Sequence, residues 1–367
     1  MDVPLAMPAM TEKMRSEADR VLKEEFFLRG ETVQEFEEEF AKFVDAEEAI
    51  AVSSGTQAIH LSLRAAGVTE DDTVITTPAT FIATANSILR TGANVKFVEV
   101  DLDTYTIDIE ALEEAVNETE NLGAILPVDL YGYPVDIEQI RDIAPGTPII
   151  SDSCQAHGAS IRGTSVGSNA DLTAFSFYPS KNMTVGGDGG MITTDDPELA
   201  ERARSYSDVG RAMNAADYEH VRLGYTARMD TYKAAIGLEQ LQLLAEWNSR
   251  RREIAKRYTS ELTDISELTL PPTGGNDITP AWYFYVVRTE QRDRLHEYLD
   301  QKGVETGVHY PTPVHLQPPY KEMGYKKGDF PVSEQWASQV LSLPVHPHMD
   351  DDQVDHVISS ICSFFTE

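Results

Sequence analysis

In "FSFYPSKNMTVGGDGGMITT", Phe175 to Thr194, a lysine stands just before a glycine-rich turn. Lys181 follows "LTAFSF", an apolar run that alternates like a buried strand. An amine at that position is either a solvating group on a turn or a nucleophile for a carbonyl carbon. The choice rests on whether the chain supplies partners. Asp152 ends another apolar run, "TPIISDS", where an unpaired carboxylate is costly and a cationic partner relieves the cost. Read alone, Asp152 is equally a helix N-cap. Gln155 and His157 lie on the turn that follows, where each also reads as a hydrogen-bonded loop residue. In "SSGTQA", Ser53 to Ala58, a strand hands over to a helix. Gly55 there permits close backbone approach, and the amides of Thr56 and Gln57 open a helix, which suits a phosphate. Ser176 adds a hydroxyl to such an anion site. "GGDGG" reads more simply as a tight hairpin than as a phosphate loop. A strand-end carboxylate, a helix N-terminus and a lysine after the next strand describe one cofactor pocket. Pyridoxal phosphate requires that set: an amine, an acid partner for its pyridine nitrogen and a phosphate cradle.

The elements that must position these groups are short strands alternating with helices. "EAIAVSS", "DTVITT", "VKFVEV", "GAILPV", "TPIISDS", "LTAFSF" and "GMITT" read as strands, with amphipathic helices between the earlier ones. That order predicts βαβ units and a mainly parallel central sheet, an α/β fold whose ligands lie outside the carboxyl ends of the strands. In "ETVQEFEEEFAKFVDA", Val33, Phe36, Phe40 and Phe43 share one helical face. A long helix, "TYKAAIGLEQLQLLAEWNSRRREIAKRY", then leaves this unit, and "WYFYVVR" is expected to open a smaller C-terminal α+β unit as a strand. The predicted boundaries are residues 1–245 for the large cofactor domain with its N-terminal arm and 246–367 for the small domain.

The chain carries 61 acidic residues against 30 Lys and Arg, a net charge of −31 spread along its length. Such a surface repels a phosphate backbone, so nucleic acid is excluded as a partner. It also predicts a salt-adapted protein, because concentrated salt screens the self-repulsion. No apolar run is long enough to span a bilayer, so membrane insertion is not expected. The N-terminus lacks the basic start of a secretory signal, and two cysteines give neither a disulfide framework nor a metal pattern. The expected setting is the cytoplasm. His346 and His348, in "PVHPHMDDD", lack a third ligand cluster and read as a loop leading into an Asp-capped helix. Lys233 reads as an ordinary lysine at a helix start.

The order and spacing of these motifs, with "VQEFEEEFAKF", "TPATFIATANSI", "DSCQAHGA", "RLGYTARM", "VHYPTPVHLQPPY" and "LSLPVHP", resemble the nucleotide-sugar aminotransferases of the DegT–StrS type over essentially the whole chain. The resemblance implies the type I fold of pyridoxal-phosphate (PLP) enzymes. By it, Lys181 bonds the cofactor, Asp152 pairs with its ring nitrogen, Phe81 stacks on the ring and Gln155 contacts the phenolic oxygen. Thr56, Gln57 and Ser176 match phosphate ligands. The family motif "GYNYRM", which reaches a partner subunit's phosphate, is "GYTARM" here, with Thr226 in place of Asn and a shorter reach. A homodimer is therefore expected. Relatives that dehydrate sugars carry histidine in place of the lysine, and this chain keeps Lys181. The implied substrates are a nucleotide-diphosphate keto sugar, aminated at C3 or C4, and an amino donor such as glutamate. The implied context is amino-sugar or surface-glycan biosynthesis. Arg211 and Arg228 are candidates for the diphosphate, and His309 and Tyr310 for the sugar. Competing expectations are another PLP enzyme on this fold, including one acting on a non-sugar ketone, a non-catalytic PLP-binding regulator, and a nucleotide-binding α/β protein without PLP.

Overall fold

A computed structural model describes residues 1–212 and 218–366. Two helices, α1 (Glu12–Glu24) and α2 (Glu31–Phe43), precede the alternating units. These are β1 (Glu48–Val52), α3 (Gly55–Ala65), β2 (Thr73–Thr76), α4 (Ile82–Leu89), β3 (Asn94–Phe97), α5 (Ile109–Glu118), β4 (Leu122–Ile125), α6 (Ile137–Ile143) and β5 (Ile150–Asp152). A small hairpin, β6 (Ser160–Ile161) and β7 (Thr164–Ser165), leads to β8 (Leu172–Ser176), β9 (Gly190–Thr194) and α7 (Pro197–Ser207). The 32-residue α8 (Thr231–Leu262) follows. Then come β10 (Ile278–Thr279), β11 (Tyr285–Arg288), α9 (Arg292–Gln301), α10 (Pro318–Glu322), α11 (Pro331–Gln339), β12 (Val340–Leu343) and α12 (Asp351–Thr366).

Strands β3, β2 and β4 pair in parallel. In the second group β5 and β8 are parallel, while β9 runs antiparallel to both β8 and β1. Parallel bridges from Ile125 to Ile149 and from Val128 to Asp152 join the groups. The resulting order is β3-β2-β4-β5-β8-β9-β1, with only β9 reversed. This is the predicted α/β architecture with a mainly parallel sheet. The carboxyl ends of β1, β5 and β8 therefore open at one edge, which is where the sequence puts its chemistry.

The sheet is held from both faces. Phe36 and Phe40 of α2 are fully buried, and Phe40 meets Phe175 of β8 at 5.1 Å between ring centroids. Phe36 meets Phe177 at 5.4 Å, so the strand that delivers Lys181 is wedged by aromatic contacts. On the other side α3 contributes Ile59, Leu61 and Leu63 to a core with Ile150, Leu172 and Ile192. β11 and β12 pair antiparallel and pack with α9 and α12 around Tyr258, Tyr285 and Leu343. Val3 joins this C-terminal core: its N–H donates to the Gly303 carbonyl at 2.8 Å, and its carbonyl accepts from Glu305 at 2.9 Å. A boundary at residues 245 and 246 falls inside α8. Leu241 and Leu244 of that helix pack with the large-sheet core, while Ile254, Tyr258 and Leu262 pack with the C-terminal one.

The run "WYFYVVR" is a strand only from Tyr285. Trp282 takes a left-handed backbone, φ 50°, and the Tyr283 amide donates instead to Tyr131 at 2.9 Å. The extended expectation fails there because the chain bends to place Tyr283 against the lysine turn. Helix α1 was not anticipated, since Met14 and Val21 are its only buried residues and its apolar signal is thin.

Candidate active site

A cavity of about 450 Å³ opens at the carboxyl ends of the strands. The turn carrying Lys181 is fixed from outside it. Asn182 donates to the Ala281 carbonyl at 2.8 Å, and the Thr184 amide donates to Gln240 at 2.8 Å. Lys181 projects into the cavity with its Nζ 4.4 Å from the centre of the Tyr283 ring. The Tyr283 hydroxyl shares a 2.9 Å hydrogen bond with Ser180. Among the described residues Lys181 has no ion pair. Lys233, by contrast, sits in the first turn of α8 and pairs with Asp230 at 3.0 Å.

Asp152 is 6% exposed at the end of β5 and lines the same cavity. Its Oδ2 accepts from the Thr84 hydroxyl at 2.7 Å, and its Oδ1 accepts from the Cys154 amide at 3.3 Å. Thr84 is held in turn by Thr80 at 2.9 Å. A turn follows Asp152, with no helix for it to cap. Its described partners are neutral donors, so the carboxylate keeps capacity for a cationic N–H. Behind it lies Asp129, which accepts from Ser153, Ser151 and the Val135 amide. Burial pushes the Asp129 carboxyl up to about 6.

The anion end of the cavity is built by α3. Ser54 caps the helix, accepting from the Gln57 amide at 3.2 Å. Gly55 is required by space: a Cβ would lie 2.6 Å from the Ser176 Cβ and 2.9 Å from the Cys154 Sγ. Thr56 and Ser176 line the cavity. Gln57 does not; its Oε1 is buried without a partner. At the mouth Phe81, 51% exposed, stands 5.6 Å from the Tyr310 ring. Gln155 accepts from the Tyr131 amide at 2.7 Å and donates to the Tyr310 hydroxyl at 3.4 Å. His309 stacks on Phe284 at 4.3 Å, with its Nδ1 2.9 Å from the Ser342 hydroxyl. Burial, then the Lys181 charge, pushes its imidazole down to about 4, so it is neutral near pH 7. His157 is buried between Phe175 and Phe177, and burial pushes it down to about 3.

Arg211 and Arg228 lie elsewhere, in a second pocket of about 400 Å³. Arg228 pairs with Asp208 at 2.6 Å, and the Arg211 Nε lies 3.9 Å from the same carboxylate. Arg29 also pairs with Asp208. Thr226 is exposed, with its backbone bridged to Asp208. Sequence reading did not single out Thr84, Ser54, Tyr283 or Arg29. Thr84 had a usable signal, standing one helical turn after Phe81 in "TFIATAN". Among the described residues, no cluster of three His, Cys, Asp or Glu could hold a metal, and no helix is long and apolar enough to cross a membrane.

Among the described residues, the arrangement offers a lysine amine without an ion pair, a buried carboxylate on neutral donors and the N-terminus of α3, all lining one cavity. Known proteins resemble this chain over nearly its whole length. The erythromycin biosynthesis sensory transduction protein EryC1 of Saccharopolyspora erythraea is 42% identical, with 98% of this chain and 99% of that protein covered. The dTDP-3-amino-3,4,6-trideoxy-alpha-D-glucose transaminase of Streptomyces venezuelae is 40% identical, with 97% and 94% covered. The crystal structure of S. venezuelae DesV in complex with a ketimine intermediate superposes with a TM-score of 0.93 at 38% identity, covering 96% of this chain and 94% of that one. With residues 8–362 matching its sequence pattern throughout, the chain belongs to the DegT/DnrJ/EryC1/StrS aminotransferase family.

Proposed function

We propose that this protein is a PLP-dependent aminotransferase that moves an amino group from glutamate, or a similar donor, to a nucleotide-linked keto sugar. The observation that carries the reading is Lys181 and Asp152 facing one cavity with the α3 N-terminus at its edge. The residues fit the group. Among the described residues Lys181 has no ion pair, Asp152 has lone pairs to spare, and Gly55 lets the start of α3 pack directly against Ser176, bringing that hydroxyl beside the helix amides. When bound, pyridoxal phosphate supplies an electron-accepting ring that carries the amino group between the two halves of the exchange.

The protein's own groups do the rest. Lys181 would hold the cofactor through Nζ, and as a free amine Nζ would act as base and then acid, taking the proton from the donor's α-carbon and delivering it to the cofactor carbon that bears the amino group. Asp152 keeps the ring nitrogen protonated, and Thr84 and the Cys154 amide keep Asp152 in place. Thr56, Ser176 and the α3 amides hold the phosphate, with Gln57 one residue further along the same turn. Phe81 covers the ring, and Gln155 orients its phenolic side. His309 and Tyr310, both neutral, offer hydrogen bonds to sugar hydroxyls.

A nucleotide sugar aminated at C3 is the substrate we favour, because the S. venezuelae relative is named for a 3-amino sugar. The excess of arginine over carboxylate around Asp208 suits a homodimer in which this face meets anionic groups of the neighbouring site. A net charge of −31 and the absence of a disulfide suit a cytoplasmic, salt-adapted protein, and its products would enter amino-sugar or surface-glycan biosynthesis. A regulatory reading draws on the names of two relatives, the sensory transduction protein of S. erythraea and a pleiotropic regulatory protein of Geobacillus stearothermophilus. The intact lysine and carboxylate favour catalysis. The test is an absorption spectrum of the holoenzyme before and after glutamate, followed by UDP- and dTDP-linked 3-keto and 4-keto sugars. Recovery of the starting spectrum with a 3-keto nucleotide sugar supports the proposal. Recovery with simple keto acids alone refutes it.

A further inference from the structure

A second cavity shares Ser180, Lys181 and Tyr283 with the first but is far smaller, about 20 Å³. Its other walls are the N-terminal segment Leu5 to Ala9, the α8 residues Trp247 and Arg251, and the loop carrying His346. Arg251 is 6% exposed. Its Nη1 reaches the Val345 carbonyl at 3.3 Å and the Trp282 carbonyl at 3.5 Å, while its Nε is buried without a partner. His346 is 3% exposed, and its ring approaches the Pro4 carbonyl. In a chain with 61 acidic residues, no Asp or Glu among the described residues lines this cavity. Its ionisable walls are Lys181, Arg251, His346 and His348.

A buried guanidinium without a carboxylate is an uncompensated charge, and its unpartnered Nε–H adds to the cost. Burial accordingly lowers the Arg251 guanidinium to about 10, and burial with the Arg251 charge lowers His346 to about 4. We propose that this cavity binds one small monovalent anion of chloride size, held by the Arg251 Nε–H. The volume exceeds the roughly 10–15 Å³ that admits one water-sized particle and is too small for phosphate or a carboxylate. The overall charge of −31 disfavours anions elsewhere on the surface, so binding here must come from the local cluster.

The experiment replaces gluconate with chloride or bromide at constant ionic strength, using the full-length holoenzyme, and follows Tm. A saturable rise of about 2–4 °C with either halide is expected. Crystals grown in bromide should show an anomalous peak within hydrogen-bonding reach of Arg251. Arg251→Gln should abolish both signals; should that variant not fold, the wild-type bromide map decides alone. Equal Tm in halide and gluconate overturns the proposal, and so does a bromide peak only at other positions.

Discussion

In the lysine cavity Asp152 meets only neutral donors and Lys181 meets an aromatic face, whereas around Asp208 one carboxylate gathers Arg29, Arg211 and Arg228. The first region keeps its opposite charges apart, each left for a ligand that brings the complement. The second carries an excess of positive charge in a protein of net charge −31. Phe26 and Phe27, two to three residues before Arg29 in the chain, are also exposed. The difference separates a cavity whose lysine and carboxylate both come from this chain from a cationic face that, in the proposed homodimer, would meet another subunit's anionic groups.

The largest effect should come from emptying the first region. Lys181→Ala should lower the donor half-reaction on the order of 10⁴-fold or more, while Lys233→Ala changes it less than about twofold. Borohydride reduction and peptide mapping should place the cofactor on Lys181; a label on another lysine breaks the comparison. Asp152→Asn should retain cofactor yet lose about 100–1,000-fold in kcat, because an amide cannot balance a protonated ring nitrogen. Near wild-type turnover would remove Asp152 from its role. Thr84→Val deletes one 2.7 Å donor and should cost about 5–20-fold in kcat with KM for the sugar unchanged.

The second region should respond differently. Arg228→Met should weaken cofactor retention about 3–10-fold and shift sedimentation toward monomer, most strongly at low salt. A monomer fully active at low and high salt would show that this face serves no partner. The smallest effect concerns His157. Its folded pKa of about 3 lies below the ordinary 6.5, so the unfolded chain takes the proton first and stability falls as pH drops through 6.5. The loss from this group should be less than about 1 kcal/mol at pH 6, growing by roughly 1.4 kcal/mol per further unit until pH approaches 3. Urea unfolding of His157→Phe across that range should lack this part of the slope.

The same contrast explains what the sequence could reveal. Asp152, Ser176 and Lys181 follow strands, and a parallel sheet brings strand ends together, so local pattern sufficed to group them with the turn at Gly55. Tyr283 was read as strand because "WYFYVVR" has strand composition, and the bend at Trp282 depends on tertiary contacts with Gly132 and Tyr131. Gln57 shares a turn with Thr56 but points elsewhere, a matter of helix phase that one residue decides. Arg29 reaches Asp208 across most of the large sheet's sequence, and no spacing rule links them.

The pairing of Val3 with Gly303 and Glu305 has a consequence for synthesis. The segment around Val3 completes a core whose other members all lie at residue 254 or beyond. Closing a loop of about 300 residues must wait for nearly the whole chain, so Val3 docks late and the C-terminal core stays open until then. The segment from Leu5 to Ala9, which walls the small cavity, is laid down in the same event. Deleting the first five residues should therefore slow the final folding phase and expose apolar surface around Tyr258, with little effect on the large sheet.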